Sequence, residues 1–384
     1  MIAMQTQHSA SRSESTPALQ ESEAFLSEQI LTYLGNKRAL LDFIAIAVER
    51  VKDKLGKDRI DALDVFSGSG IVSRYLKQHC HKLIACDLEA YSSVVNSCYL
   101  ANRTQVEMHQ LSELVSHLNS LATQQPRPGP IAALYAPQDD DDIQIGERVF
   151  YTRENAVRID TLRALIDEQV PETLRHFLLA PLLYASSVHA NTSGVFKGFY
   201  KNSETGIGQF GGNGRHALTR IQKTISLQVP VLSRFECDYA VHCGDSNLLT
   251  KSLAQVDLAY LDPPYNQHPY GSNYFMLNLI AQRRSPTEIS KVSGIPRDWK
   301  RSIFNHKRKA KAALAALIDG INARFLLISF NSEGFISSME MKQMLAEVGR
   351  TEMLEKEYNT FRGSRNLRNR ALHVREFLFL VDRG

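Results

Sequence analysis

The apolar positions of this chain fall into short runs, several of them ending on an acid. Residues 256–261 read as a buried strand that stops abruptly at Asp262-Pro263-Pro264-Tyr265. Pro263 has no N–H to give a ladder, and Pro264 restricts the residue before it. Further runs at 63–66, 83–87, 239–245, 324–331 and 376–381 predict more strands. Between them apolar residues recur at helical spacing. Leu40, Leu41, Ile44, Ala47 and Val48 share one face, and 71–76, 91–100, 248–253 and 276–280 continue the pattern. Strands alternating with helices predict an α/β fold, whose ligands bind at the carboxyl ends of the strands.

The middle of the chain has a different rhythm. Leu162, Ile166 and Val170, then Leu174, Leu178 and Leu182, predict two helices with no strand between them. Residues 101–150 read as irregular: 124–130 is a Pro-rich stiff linker and Asp139 to Asp142 an acidic run, a solvated loop in preference to a metal site. Residues 1–28, rich in Ser, Gln, Thr and Glu, read as a disordered tail. The expected division is that tail, a sheet domain at 29–100 and 235–384, and a mainly helical insertion at 101–234.

Composition narrows the class. Of the 384 residues 43% are hydrophobic, enough for a full core, and no apolar run reaches the ~18 residues of a membrane span. The N-terminus has no apolar signal core, so a soluble cytoplasmic protein is expected. The five cysteines show no Cys-x-x-Cys pair and read as buried thiols in a reducing compartment, with neither a disulfide frame nor a metal site. A net charge of +4 does not by itself point to nucleic acid. Residues 283–311, however, carry ten Lys or Arg against Glu288 and Asp298. That stretch reads as a phosphate-contacting surface, with a solvated helix face as the plainer alternative.

Candidate chemistry collects at the strand ends. Asp262 and the Pro263 carbonyl are acceptors with no donor beside them, suited to gripping an amino group, and Tyr265 offers a stacking face. Asp64-Val65-Phe66-Ser67-Gly68-Ser69-Gly70 is a strand followed by a glycine turn and a helix, which lets a ligand approach the backbone. Asp87 ends the next strand, where an acid can accept both hydroxyls of a ribose. Asp245, followed by Ser246, ends another, and its plain alternative role is helix N-cap. Tyr33, Gly35, Asn36 and Lys37 form a turn into the first helix. It is either an ordinary cap or a device presenting N–H groups and Lys37 to a carboxylate.

Taken in this order, Tyr33 to Lys37, Asp64 to Gly70, Asp87 and Asp262 to Tyr265 resemble the D12 class of DNA adenine-N6 methyltransferases, in the arrangement with the target-recognition region inserted between the two halves. The resemblance implies a Rossmann-like sheet that binds S-adenosylmethionine (AdoMet). It implies that Tyr33 to Lys37 and Phe66 to Gly70 enclose the methionine part, that Asp87 holds the ribose and that Asp245 meets the adenine amine. Asp262, Pro263, Pro264 and Tyr265 would hold an adenine flipped out of double-stranded DNA, with no metal required and with a cognate restriction endonuclease as a possible partner. Cytosine-N4 or RNA methylation, or a dead DNA-binding fold, are the rivals.

The DNA side is expected elsewhere. Lys197 and Lys201 interleave with Phe196, Phe199 and Tyr200 ahead of a glycine-rich loop carrying Arg215. That composition fits groove or phosphate contact, or else a flexible surface loop. Tyr270, Asn273 and Tyr274 are candidates for lining the extruded base. Asn331 lies at the end of the motif Ser329-Phe330-Asn331, expected on the pocket wall. Tyr358 and Arg362 belong to a basic loop expected beside the base.

Overall fold

The computed structural model describes residues 20–212, 217–359 and 373–384. Seven strands form one sheet in the order β3-β2-β1-β4-β5-β7-β6. They are β1 (Ile60–Asp64), β2 (Cys80–Asp87), β3 (Asp238–Cys243), β4 (Val256–Leu261), β5 (Ala323–Asn331), β6 (Arg350–Asn359) and β7 (His373–Asp382). β1 pairs in parallel with β2 and β4, β2 with β3, and β4 with β5. Only β7 runs against its neighbours, slotted between β5 and β6. The chain order reverses between β1 and β4, which opens a crevice above their carboxyl ends. The order and the mixed architecture are those of a Rossmann-like methyltransferase sheet.

The central strands are apolar on both faces because both faces are covered. On one side Leu258, Tyr260, Phe325 and Leu327 pack with the helix Leu41–Leu55, whose Phe43, Ile44, Ala47, Val48 and Val51 are buried. On the other, Ala259, Leu261, Leu326 and Ile328 pack with Leu314, Leu317 and Ile318 of the helix Lys307–Gly320.

Two expectations need correction. Residues 101–150 are not irregular: Met108–Gln124 is a 17-residue helix and Pro130–Tyr135 a second. Leu111, Val115, Leu118 and Ala122 form its buried stripe, and burying each leucine supplies roughly 1.5–3 kcal/mol. Polar residues crowd its other positions and dilute the pattern. The region 1–28 is also not all tail. Glu23–Ser27 is helical with Phe25 fully buried. Arg74 fixes it there, donating to the carbonyls of Phe25 (2.9 Å), Glu28 (3.0 Å) and Gln29 (3.0 Å). A distant cation supplies this anchor, so the local sequence does not reveal it. Residues 1–19 lie outside the described ones.

The inserted region packs as part of the molecule's body. Its helices Arg153–Gln169 and Glu172–Val188 are separated by Val170-Pro171, as their apolar spacing predicted. They share one core with Tyr91, Val95 and Tyr99 after β2 and with Phe275, Met276 and Leu279 after β4. The insertion is thereby locked to the elements that carry the site.

Candidate active site

Because β1 to β4 are parallel, Asp64, Asp87, Asp245 and Asp262 come to one edge of the sheet. They line a single cavity of about 330 Å³. Tyr33, Gly35, Asn36, Lys37, Phe66, Ser67, Gly68, Ser69, Ser246, Pro264 and Tyr270 line the same cavity. Gly70, Pro263 and Tyr265 do not; Pro263 and Tyr265 flank a small adjoining space against Phe304 and Phe330.

The glycine turn is built from both ends. Val65 N–H donates to the Tyr260 carbonyl (3.0 Å) and Ser67 N–H to that of Cys86 (2.9 Å), which ties the turn across three strands. Gly68 has φ +51, and a Cβ there would sit 3.1 Å from the Tyr33 hydroxyl. Glycine is thus required both by the backbone and by the approach of the ring. The Gly68 N–H donates to Asp87 Oδ2 (2.8 Å), and the Glu89 N–H to Asp87 Oδ1 (2.9 Å). Asp64 accepts from Ser73 Oγ at 2.6 Å through Oδ2, while its Oδ1 is buried with no partner among the described residues.

The Tyr33 turn is clamped by tyrosines. The Tyr33 ring stacks on Tyr270 (centroids 5.0 Å, 14°) and on Tyr274 (4.6 Å, 17°). The Leu34 N–H donates to the Tyr274 hydroxyl (2.6 Å), and the Tyr270 hydroxyl donates back to the Leu34 carbonyl (3.2 Å). Asn36 caps the 3₁₀ turn Lys37–Leu40, accepting from Arg38 N–H at 2.8 Å. Lys37 is buried: its ammonium donates to Glu376 Oε1 at 2.6 Å and lies in ion-pair range of Asp262 Oδ1 at 3.3 Å. It is therefore engaged with protein acids and not held out toward a ligand carboxylate.

Burial dominates the electrostatics. It pushes Asp64 up to about 7 against the Ser73 hydrogen bond, and Asp87 up to about 6 against its backbone N–H donors. Burial likewise lifts Asp262 to about 6, with Lys37 opposing and Glu376 adding to the rise. For Lys37 burial alone would lower the value, but Asp262 and Glu376 outweigh it and hold the ammonium well above the ordinary lysine.

Residues 33–344 match the family model of the D12 class N6 adenine-specific DNA methyltransferases. The chain belongs to that class. It is 30% identical to the type II methyltransferase M.NlaIII of Neisseria lactamica over 92% of its own length and 99% of the relative's. It is 29% identical to M.CviAII of Paramecium bursaria Chlorella virus 1 over 91% and 97% of the two chains. Against the modification methylase StsI of Streptococcus sanguinis it is 26% identical, covering 92% of this chain and 52% of that one. This D12-class chain is accordingly a DNA adenine-N6 methyltransferase, and the cytosine-N4 and RNA readings fall away.

For a D12-class enzyme, several residues prominent in the sequence lie away from the cavity. Tyr274 is fully buried behind Tyr33, and Asn273 is buried with its carbonyl accepting from Phe196 N–H (2.7 Å). Both support the lining without facing it. Asn331 is buried, its side chain accepting from Glu333 N–H at 3.0 Å. Asp245 caps its helix by accepting from Asn247 N–H (2.9 Å) while also lining the cavity. Lys197 is exposed and within electrostatic reach of Arg301, and Lys201 lies over the Phe199 ring at 5.1 Å. Arg215, Arg362 and the loop after Tyr358 lie outside the described residues. Tyr358 itself is in strand β6 and not in the loop expected there.

Other lining residues have no sequence signal of their own. Glu89 is buried beside Asp87, accepts from Asn278 Nδ2 at 2.6 Å and is lifted by burial to about 7. The basic stretch divides. Arg283 pairs with Asp167, Arg284 with Asp298 and Lys311 with Glu340. Residues 300–305, including Lys300 and Arg301, form a strap along the cavity wall. The strap rests on Gly271, where a Cβ would collide with the Lys300 carbonyl oxygen. Cys243 is exposed at the end of β3, unlike the other four cysteines. No described helix is long and apolar enough to cross a membrane.

Proposed function

We propose that the shared cavity holds AdoMet against the glycine turn and receives a flipped adenine at the Asp262-Pro263-Pro264-Tyr265 turn. The observation that carries this reading is that Asp64, Asp87 and Asp262 line one space. The residues present fit AdoMet. Asp64 Oδ1 is an orphaned acceptor suited to an ammonium, Asp87 is placed for a ribose diol, and Asp245 for an adenine amine. Buried acids raised by desolvation suit a ligand bearing both an ammonium and a sulfonium. Gly68 lets the Tyr33 ring close against the glycine turn, so that both line the cofactor's side of the cavity.

When bound, AdoMet supplies a methyl group on a sulfonium, whose departing sulfide is neutral. The chain supplies alignment. Asp262 and the Pro263 carbonyl accept hydrogen bonds from the adenine N6 amine, draw its lone pair out of conjugation and aim it into the cavity. Tyr265, whose ring meets Phe330 in a T-shaped contact at 5.6 Å, is the residue we assign to stacking on the base. Stacking of this kind returns ~1–3 kcal/mol of the few lost on extrusion. Lys197 and Lys201, with Arg215, are the residues we assign to the DNA side. We place the enzyme in a restriction-modification system with a cognate endonuclease, as the names of its relatives suggest.

Replacing Asp262 by Ala tests the assignment. Methyl transfer to duplex DNA is lost, while AdoMet binding, measured by calorimetry, is retained. Normal methylation by this variant would overturn the reading.

A further inference from the structure

Strand β7 carries a charged residue that the family match at 33–344 does not reach: Glu376, fully buried. Its Oε1 accepts from Lys37 Nζ at 2.6 Å and from Ser329 Oγ at 2.7 Å. Its Oε2 has no partner among the described residues. The Lys37 side chain is 4% exposed, so this cation is shared by two acids out of bulk water. Its distances to them are unequal: the short bond, 2.6 Å, goes to Glu376, and Asp262 lies at 3.3 Å.

We infer that Glu376 is a positioning residue for methyl transfer, holding the Lys37 ammonium off Asp262 so that the Asp262 carboxylate stays open to the substrate amine. The inference rests on Asp262 being the amine acceptor. Without the acid at 376, the ammonium has one carboxylate left to approach. It would then settle on Asp262, fill an acceptor site that N6 needs, and hold the carboxylate ionised more strongly. With the acid present, Lys37 stays near enough to support ionisation but bonds elsewhere. The other titratable groups facing Asp262 are Asp64 from β1, Tyr260 from β4, and Tyr270. Asp64 titrates in the same pH range, and because it is present in every variant the comparison is of differences between limbs.

The test is the pH profile of kcat with DNA and AdoMet saturating, for wild type and Glu376→Gln. Gln retains an oxygen for Ser329 while removing the charge that draws the Lys37 ammonium away from Asp262. The expected result has two parts. The acid limb moves down by about one pH unit, since a like charge beside Asp262 is gone. The plateau kcat falls about tenfold, the scale of one hydrogen bond lost at the amine, with KM for AdoMet little changed. A purely structural Glu376 would lower activity at every pH without moving the limb, and that outcome overturns the inference, as does a wild-type profile.

Should Glu376→Gln fail to fold with its ammonium unpaired, Lys37→Gln and the double variant Lys37→Gln/Glu376→Gln read the same charge with two neutral amides. The limb of the double variant is expected below that of Lys37→Gln alone; coincident limbs refute the inference. Failure here with Asp262→Ala still inactive sinks only the role of Glu376, whereas an active Asp262→Ala sinks the underlying assignment.

Discussion

Asp64→Asn separates what the site needs from what the fold needs. Asp64 is fully buried, and burial lifts it from the usual carboxylate range to about 7. An acid whose folded value is raised binds its proton more tightly in the native state. Between roughly pH 4 and pH 7 the native protein therefore holds a proton that the unfolded chain has released. By linkage, stability from this group falls as pH rises through that window, and the whole cost is present above 7. A rise from 3.8 to about 7 is about three units, each worth ~1.4 kcal/mol, so the ionised carboxylate costs at most about 4 kcal/mol. Asn keeps an oxygen for Ser73 Oγ and carries no charge. Urea unfolding without cofactor should show Asp64→Asn more stable than wild type by about 2–4 kcal/mol at pH 8, the gap closing toward pH 4. The same variant should lose most of its AdoMet affinity, because the orphaned acceptor is gone. A variant less stable than wild type at pH 8, or a gain independent of pH, would show that Asp64 is not held as a strained buried anion.

Three further outcomes follow from the same geometry. AdoMet affinity should weaken as pH falls from 8 to 5, because Asp64 at about 7 and Asp87 at about 6 take up protons and lose acceptor strength; calorimetry across that range checks it. Gly271→Ala should raise KM for AdoMet with a smaller effect on thermal stability, since the added Cβ displaces the 300–305 strap from the cavity wall; steady-state kinetics at saturating DNA reads this. Tyr274→Phe removes the hydroxyl that accepts from Leu34 N–H at 2.6 Å, and should cost about 1 kcal/mol in unfolding free energy together with a loss of cofactor affinity through the loosened Tyr33 turn.

The sequence by itself determined six of the seven strands, the acids at the ends of β1 to β4 and the glycine turn; β6 (Arg350–Asn359) escaped because its charged residues leave no apolar run. Strand β4 lies at 256–261 as its apolar run required. It ends where Pro263 can no longer give a hydrogen bond, and the parallel sheet carries the acid ends to one edge. These are local properties: periodicity, a missing N–H, a positive φ. The helix Met108–Gln124 escaped because its buried stripe is thin among polar residues, and the Phe25 anchor because Arg74 lies far along the chain.

The tertiary structure alone decided how charge is distributed in the site. Nothing near Glu376 in the sequence links it to Lys37, 339 positions earlier. Likewise nothing in residues 300–305 separates a cavity wall from a surface loop. Tyr270 and Tyr274 look alike in sequence, yet one lines the cavity and the other is buried behind Tyr33. Local pattern specifies which face of an element is apolar. The partner a buried charge finds depends on which distant strand the fold sets beside it, and in a low-dielectric interior that partner fixes the charge each acid carries.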